Sequence, residues 1–306
     1  MSADLERAFV DACLLDVTAL KPGNVGLHGG GHGMQPVDFI RSAEAAAPAI
    51  ARPAGSVGER IHRAIVATHE AVGANTNLGI VLLAAPLAHV AWGSPGREAL
   101  VRRLRACLTS LTVEDARLAF EAIRLARPGG LGTADRHDVH APARVSLLDA
   151  MREAAERDMI ARQYANGYAD VLDTGRARLA AARARGRDWR WTTTEVYLAF
   201  LARHPDSHVA RKFGAAEAAI LRDAAVERER TAALATDRAA AAERLIEWDG
   251  ELKARGLNPG TTADLTVATL FLAFLGDEAT DCARRGQRRG AGERVGAFPT
   301  VNCINW

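Results

Sequence analysis

Cysteine is scarce and unpaired in pattern: Cys13, Cys107, Cys282 and Cys303 fall in no Cys-x-x-Cys or Cys/His ligand spacing. That argues against a disulfide framework or a zinc site and for reduced thiols in a cytosolic protein. Charge of one sign is also lacking, since 39 Lys+Arg face 37 Asp+Glu for a net charge of +2. No general electrostatic pull toward nucleic acid or an anionic membrane follows, so any anion binding is local. Long apolar runs are missing too. The longest, residues 80–92 and 265–275, fall short of the roughly 20 residues that span a bilayer. The first 20 residues carry acids in an amphipathic pattern without a basic start, unlike a signal peptide. No stretch alternates with period two and β-branched enrichment, so strands are at most incidental.

What remains is helical periodicity. Leu5, Phe9, Ala12, Cys13 and Val17 recur at spacings of three and four until Lys21-Pro22-Gly23, one face of a helix over 3–20. Further helices are expected over 36–50, 56–73, 78–92, 97–109, 113–126, 146–160, 162–185, 208–229, 231–255 and 262–282, and one is expected to start from a capping box at Thr192-Thr193-Thr194-Glu195. Thr112 and Asp115 also resemble a capping arrangement. The segment 78–92 is so uniformly apolar that it should be central. These patterns give an all-α protein, a single-domain bundle of about a dozen helices around a central apolar helix, over residues 1–283. An Arg/Gly-rich tail, 284–306, follows.

Polar groups concentrate at helix starts. Asn258-Pro259-Gly260-Thr261-Thr262-Ala263-Asp264 is turn chemistry opening into a buried helix, with Thr261 or Thr262 as cap and Asp264 in the first turn. One cap would suffice, so the surplus suggests an anion site where backbone N–H groups and the positive helix end collect. Lys21-Pro22-Gly23-Asn24 and Asn75-Thr76-Asn77-Leu78-Gly79 repeat the device. Lys21 is either a cation for a phosphate or a charge neutralising the end of the first helix. His32, between glycines, is a general base, a nucleotide contact or a loop histidine with one structural hydrogen bond. Asp206-Ser207-His208 is a helix start or, beside Arg211 and Lys212, a magnesium site near a polyphosphate. Asp135, His137, Asp138 and His140 lie close enough in a polar loop for metal ligation, though a surface loop explains them equally.

In chain order these segments resemble the triphosphoribosyl-dephospho-CoA synthase family. Lys21-Pro22-Gly23-Asn24-Val25, the glycine-rich stretch with His32 and Met34, then Phe39 and Ser42-Ala43 look like its start. Asn75-Thr76-Asn77-Leu78-Gly79 resembles its Asn-Thr-His-Lys-Gly, Gly129-Gly130 its glycine pair, Asp206-Ser207-His208-Val209 its Asp-Thr-Asn-Val, and Asn258 to Leu265 its Ser-Pro-Gly-Gly-Ser-Ala-Asp-Leu. The resemblance implies an all-α cytoplasmic transferase. It binds ATP with Mg2+, expels adenine and joins the triphosphoribosyl group to a hydroxyl of dephospho-CoA. Carried onto this chain, it gives His32, Asp206 and Asp264 catalytic roles, and Asp206 and Asp264 the magnesium. Lys21, Gly23, Asn24, Asn75, Thr76, Asn77, Arg211, Lys212, Asn258, Gly260, Thr261 and Thr262 then bind ATP or the acceptor. A homodimer is the candidate assembly.

Departures from the family pattern remove charge. Asn77-Leu78 stand in place of His-Lys, Gly132 and Ala134 in place of Arg and Glu, and Gly33 in place of Asp. A relative that ribosylates a different small acceptor is the alternative, with a pterin-type precursor of a tetrahydromethanopterin-type carrier as a candidate. From other classes come a metal-dependent phosphohydrolase and a non-catalytic nucleotide-binding helical protein.

Overall fold

The structure, a computed structural model, describes residues 2–29, 33–92 and 97–276; the 284–306 tail and His32 lie outside them. Fourteen α-helices and one π-helical segment follow in order: α1 Ser2–Thr18, α2 Pro36–Ile50, α3 Val57–Val72, α4 Leu78–Ala91, α5 Arg97–Thr109, α6 Val113–Ala126, α7 Leu147–Ala154, α8 Met159–Asn166, the π segment Asp170–Gly175, α9 Arg176–Ala184, α10 Trp189–Arg203, α11 Ser207–Phe213, α12 Ala215–Leu234, α13 Arg238–Ala254 and α14 Gly260–Leu275. Among the described residues there is no strand, only an isolated bridge between Gly26 and Gly29.

Two apolar helices occupy the centre. Around α4, Ile80 to Ala85 and Leu87 are all buried, and α14 is buried on every side from Leu265 to Ala273. The larger core gathers α1 to α8 about these two helices. A smaller core joins α10 to α13 through Tyr197, Leu201, Leu221, Leu245 and Trp248. Helix α10 belongs to both, with Val196 and Phe200 facing the first and Tyr197 and Leu198 the second.

Pro86 lies inside α4. Proline has no N–H to give the carbonyl four residues back, so the Leu82 carbonyl loses its helical donor. Tyr164 of α8 supplies one, its hydroxyl donating to Leu82 O at 2.6 Å, while Tyr168 donates to Leu83 O at 2.9 Å. Both tyrosines are fully buried. The break in α4 is thereby pinned from one side.

Several helix expectations are corrected. The 146–160 and 162–185 helices are divided, because Asp158 caps a new helix through Ile160 N and Ala161 N and the chain then widens into the π segment. The capping box at Thr192 to Glu195 does not form. Asp188 caps α10 instead, accepting from Trp191 N, and the three threonines are buried in the helix interior. Glu195, 1% exposed, meets Arg178, Arg185 and Arg187, an ion cluster rather than a cap. Gly214 separates α11 from α12, and Asp237 starts α13 through Ala240 N. The capping box at Thr112 and Asp115 is present in full.

Candidate active site

A cavity of about 400 Å3 opens where the start of α14, the start of α4, the loops after α1 and α6, and helices α7, α8 and α11 converge. Among the described residues, the polar segments at Asn24, Asn75, Gly129, Asp138, His208 and Asn258 reach it or its rim, but the side chains are used differently from expectation.

At the start of α14 the N-cap residue is Pro259, which offers no side-chain acceptor. Asp206 reaches across 56 residues to replace it: Oδ2 accepts from Thr262 N at 2.7 Å and from Thr262 Oγ1 at 2.8 Å. Its Oδ1 accepts from His208 N at 2.8 Å and Val209 N at 3.0 Å, capping α11. One carboxylate thus caps two helices. Asp206 is 2% exposed and stands behind the cavity wall. Four donors already occupy its acceptor positions, which corrects its expected place as a magnesium ligand or catalytic group. Thr262 likewise spends its hydroxyl on Asp206 and is a held residue rather than a cap, whereas Thr261, Gly260 and Asn258 do line the cavity.

Asp264 lies in the second turn of α14, not the first, and faces the cavity. Its carboxylate rests on the opening turn of α4, so closely that a Cβ at Gly79 would overlap its Oδ2. Only glycine permits this approach. Burial pushes the Asp264 pKa well above its ordinary value, and the neighbouring Asp16 and Asp206 push the same way against Arg211.

Lys21 is not presented to a ligand. Its side chain is 1% exposed, and Nζ donates to Asp16 Oδ2 and to Asn24 Oδ1, both at 2.5 Å. Asn24 passes the chain on, donating to Asn258 Oδ1 at 2.8 Å. Burial lowers the Lys21 pKa and raises that of Asp16, each opposed by the other's charge. Gly23 packs on Leu257 and Pro259 with its N–H on Asp249 Oδ1 at 2.8 Å, away from the cavity. The remaining oxygen, Asp16 Oδ1, is buried with no hydrogen-bond partner in a side chain that lines the cavity.

Asn75, Thr76 and Asn77 all line the cavity. Asn75 Oδ1 caps α4 by accepting from Leu78 N at 3.2 Å, while Asn77 gives its amide to Thr68 Oγ1 at 3.0 Å. Thr76 and Ser42 share a hydrogen bond at 2.5 Å. Arg211 reaches the cavity already paired with Asp158 at 2.6 Å; Lys212 is exposed at the rim beside Gly129. Asp135, His137, Asp138 and His140 do not converge: Asp138 instead organises the loop, accepting from Ala134 N at 2.6 Å and His140 N at 2.7 Å. Among the described residues no group of three or more His, Cys, Asp or Glu is arranged to hold a metal.

Asp16, Asp158 and His208 line the cavity and were not among the expected site residues. For Asp16 a signal existed. It follows Phe9, Ala12 and Cys13 at the next step of the same apolar face, and a carboxylate on a buried stripe calls for a partner. A hard divalent cation uses one or two carboxylates together with substrate phosphates. The unpartnered oxygen of Asp16 and the cavity-facing carboxylate of Asp264 suit Mg2+ on those terms.

Among the described residues no helix is long and apolar enough to cross a membrane. No curated protein matches the chain. A solved chain from Archaeoglobus fulgidus, described as a "putative triphosphoribosyl-dephospho-coA synthase", is similar at 26% identity with a TM-score of 0.59, covering 76% of this chain and 96% of that one. The family model for ATP:dephospho-CoA triphosphoribosyl transferase, CitG, matches residues 2–282. With the all-α fold and the cavity at the family's motif segments, this chain belongs to the CitG family of transferases.

Proposed function

We infer that this cavity binds ATP with Mg2+ and transfers its triphosphoribosyl group to an alcohol, releasing adenine. The bond between the ribose carbon and the adenine nitrogen breaks, its electron pair leaves with adenine, and adenine takes up a proton. The acceptor oxygen forms the new carbon–oxygen bond and gives up its own proton. No electrons are exchanged with a redox partner.

Asp264 carries the reading. A carboxylate whose pKa is raised by burial is a better proton acceptor near neutral pH than an ordinary one, and it faces the cavity at a helix start. Asp264 takes the acceptor proton in this account. Asp16 Oδ1 would hold Mg2+, which when bound offsets the charge of the triphosphate and leaves the Asp264 carboxylate for the proton. The N-terminal turn of α4, Thr261 and Arg211 orient the phosphates, and Lys21 acts indirectly by holding Asp16 and Asn24. Asp206 positions: it fixes the starts of α11 and α14 on which Arg211 and Asp264 stand. The family's acceptor, dephospho-CoA, is the first to test.

Incubating the protein with Mg-ATP, with and without dephospho-CoA, and quantifying free adenine and the acceptor mass tests this. Adenine release coupled to a gain of the triphosphoribosyl mass is the expected result. Phosphate release without adenine would instead make the protein a phosphohydrolase.

A further inference from the structure

The transfer leaves one proton without a source. Adenine takes up a proton as it departs, yet the carboxylates among the described lining residues are engaged. Asp16 is held by Lys21, Glu153 by Arg136, Asp158 by Arg211 and Asp138 by Ala134 N and His140 N, while Asp264 receives the proton of the acceptor. The lining arginines Arg136, Arg157 and Arg211 keep theirs, because a guanidinium does not deprotonate in a protein. Histidine is the side chain that gives and regains a proton near neutral pH. Among the described lining residues the histidines are His137 and His208.

His208 stands on the same face of α14 as Asp264. Its ring packs on Gly260, where an added Cβ would come within 2.8 Å of Nδ1, just as Asp264 packs on Gly79 of α4. Gly260 and Asp264 are four residues apart in α14, so they share one face about 6 Å apart along the axis. The starts of α11 and α4 therefore meet neighbouring turns of one helix. His137 lies instead in the loop after α6, with its backbone at φ 53°. The sequence carries a matching signal. The family pattern has histidine third in the segment at 75–79 and asparagine third in the segment at 206–209, whereas this chain has Asn77 and His208, the reverse in both. Both residues line the cavity. Asn77 gives its amide to Thr68 Oγ1 at 3.0 Å and Ser42 O at 3.4 Å, and an amide has no proton to transfer.

We propose that His208 is the general acid of the transfer, supplying from α11 the imidazole that the family pattern places at the start of α4. This rests on the reading that the cavity transfers the triphosphoribosyl group. As the bond between the ribose carbon and the adenine nitrogen breaks, its electron pair leaves with the base and the imidazolium of His208 gives its proton to a ring nitrogen of adenine. The acceptor oxygen bonds to the ribose carbon and passes its proton to Asp264. Once the products leave, solvent returns a proton to His208 and removes the one on Asp264, so protons and charge balance.

The test measures adenine release from Mg-ATP with dephospho-CoA by the full-length parent, His208→Asn, His208→Gln and the double variant Asn77→His/His208→Asn, with folding checked by circular dichroism. Glutamine keeps a hydrogen-bond donor at the end of the side chain but has no proton to transfer. Both single variants are therefore expected to lower kcat about a hundredfold or more while the KM for ATP stays within about threefold. The double variant is expected to regain roughly tenfold over His208→Asn, because a histidine ring branches at Cγ as asparagine does and its Nδ1–H can keep the bond to Thr68. Near-parent kcat in either single variant would overturn the proton role, as would a raised KM for ATP with kcat unchanged, since His208 would then only bind. A folded double variant no faster than His208→Asn would overturn the exchange. Should Asn77→His prevent folding, the two single variants still decide the proton role. A parent that releases no adenine fails the transfer reading and this proposal with it, whereas release untouched by His208→Asn fails this proposal alone.

Discussion

Asp206 and Asp264 are both aspartates at the mouth of α14, close enough that Asp206 helps raise the Asp264 pKa, and they do opposite things. Asp206 faces away from the cavity and accepts four hydrogen bonds from two helix starts. Asp264 faces into it and rests on the first turn of α4 across Gly79. Burial alone therefore does not make a carboxylate functional. The number of donors already committed to it decides whether it holds the fold or remains available to a ligand.

Substitutions should separate the two. Asp264→Asn is expected to lower adenine release by about a hundredfold to ten-thousandfold, the range for loss of a positioned general base, with little loss of thermal stability. Asp206→Asn should do the reverse. Its amide NH2 would confront two of the four donors, costing roughly 2–4 kcal/mol of unfolding free energy from two lost charge-assisted caps; chemical denaturation of the variant reads this directly. An unchanged denaturation midpoint would remove Asp206 from its structural role.

Gly79→Ala sharpens the comparison from the other helix. The added methyl overlaps the Asp264 carboxylate, so either α4 or Asp264 shifts, at roughly 1–3 kcal/mol and with a loss of activity larger than any change in the KM for ATP. Away from the site, Tyr164→Phe leaves the Leu82 carbonyl opposite Pro86 without a donor, and about 1–3 kcal/mol of stability should go with it. Activity should fall only in proportion to the folded fraction.

A further effect is expected in pH. Asp264 has a raised folded pKa, so between its unfolded value near 3.8 and that raised value the native state binds the extra proton. Stability from this group is present below the unfolded value and is lost as pH rises through the folded one. Asp264→Asn should flatten that part of the stability profile. A variant as steep as the parent there would mean another group carries the slope.

Much of the helical order was readable because periodicity survives local irregularity: α2, α5 and α6 run over 36–50, 97–109 and 113–126, the ranges the pattern indicates. The breaks at Asp158, in the π segment and at Gly214 were not, since a helical pattern continues across each and only tertiary contacts, such as Arg162 and Gln163 on Asp170, decide the local winding. The site segments were legible as polar helix starts. Which side chain faces the cavity was not, because Asp206 caps a helix 56 residues away and Lys21 turns inward to Asp16. Spacing along a chain carries no information on such pairings.

The most direct measurement is adenine release from Mg-ATP by the parent protein, Asp264→Asn and Asp206→Asn, each normalised to its folded fraction by circular dichroism. The account requires the parent to release adenine and transfer the triphosphoribosyl group, Asp264→Asn to be folded and at least a hundredfold slower, and folded Asp206→Asn to stay closer to the parent. Full adenine release by folded Asp264→Asn would contradict it.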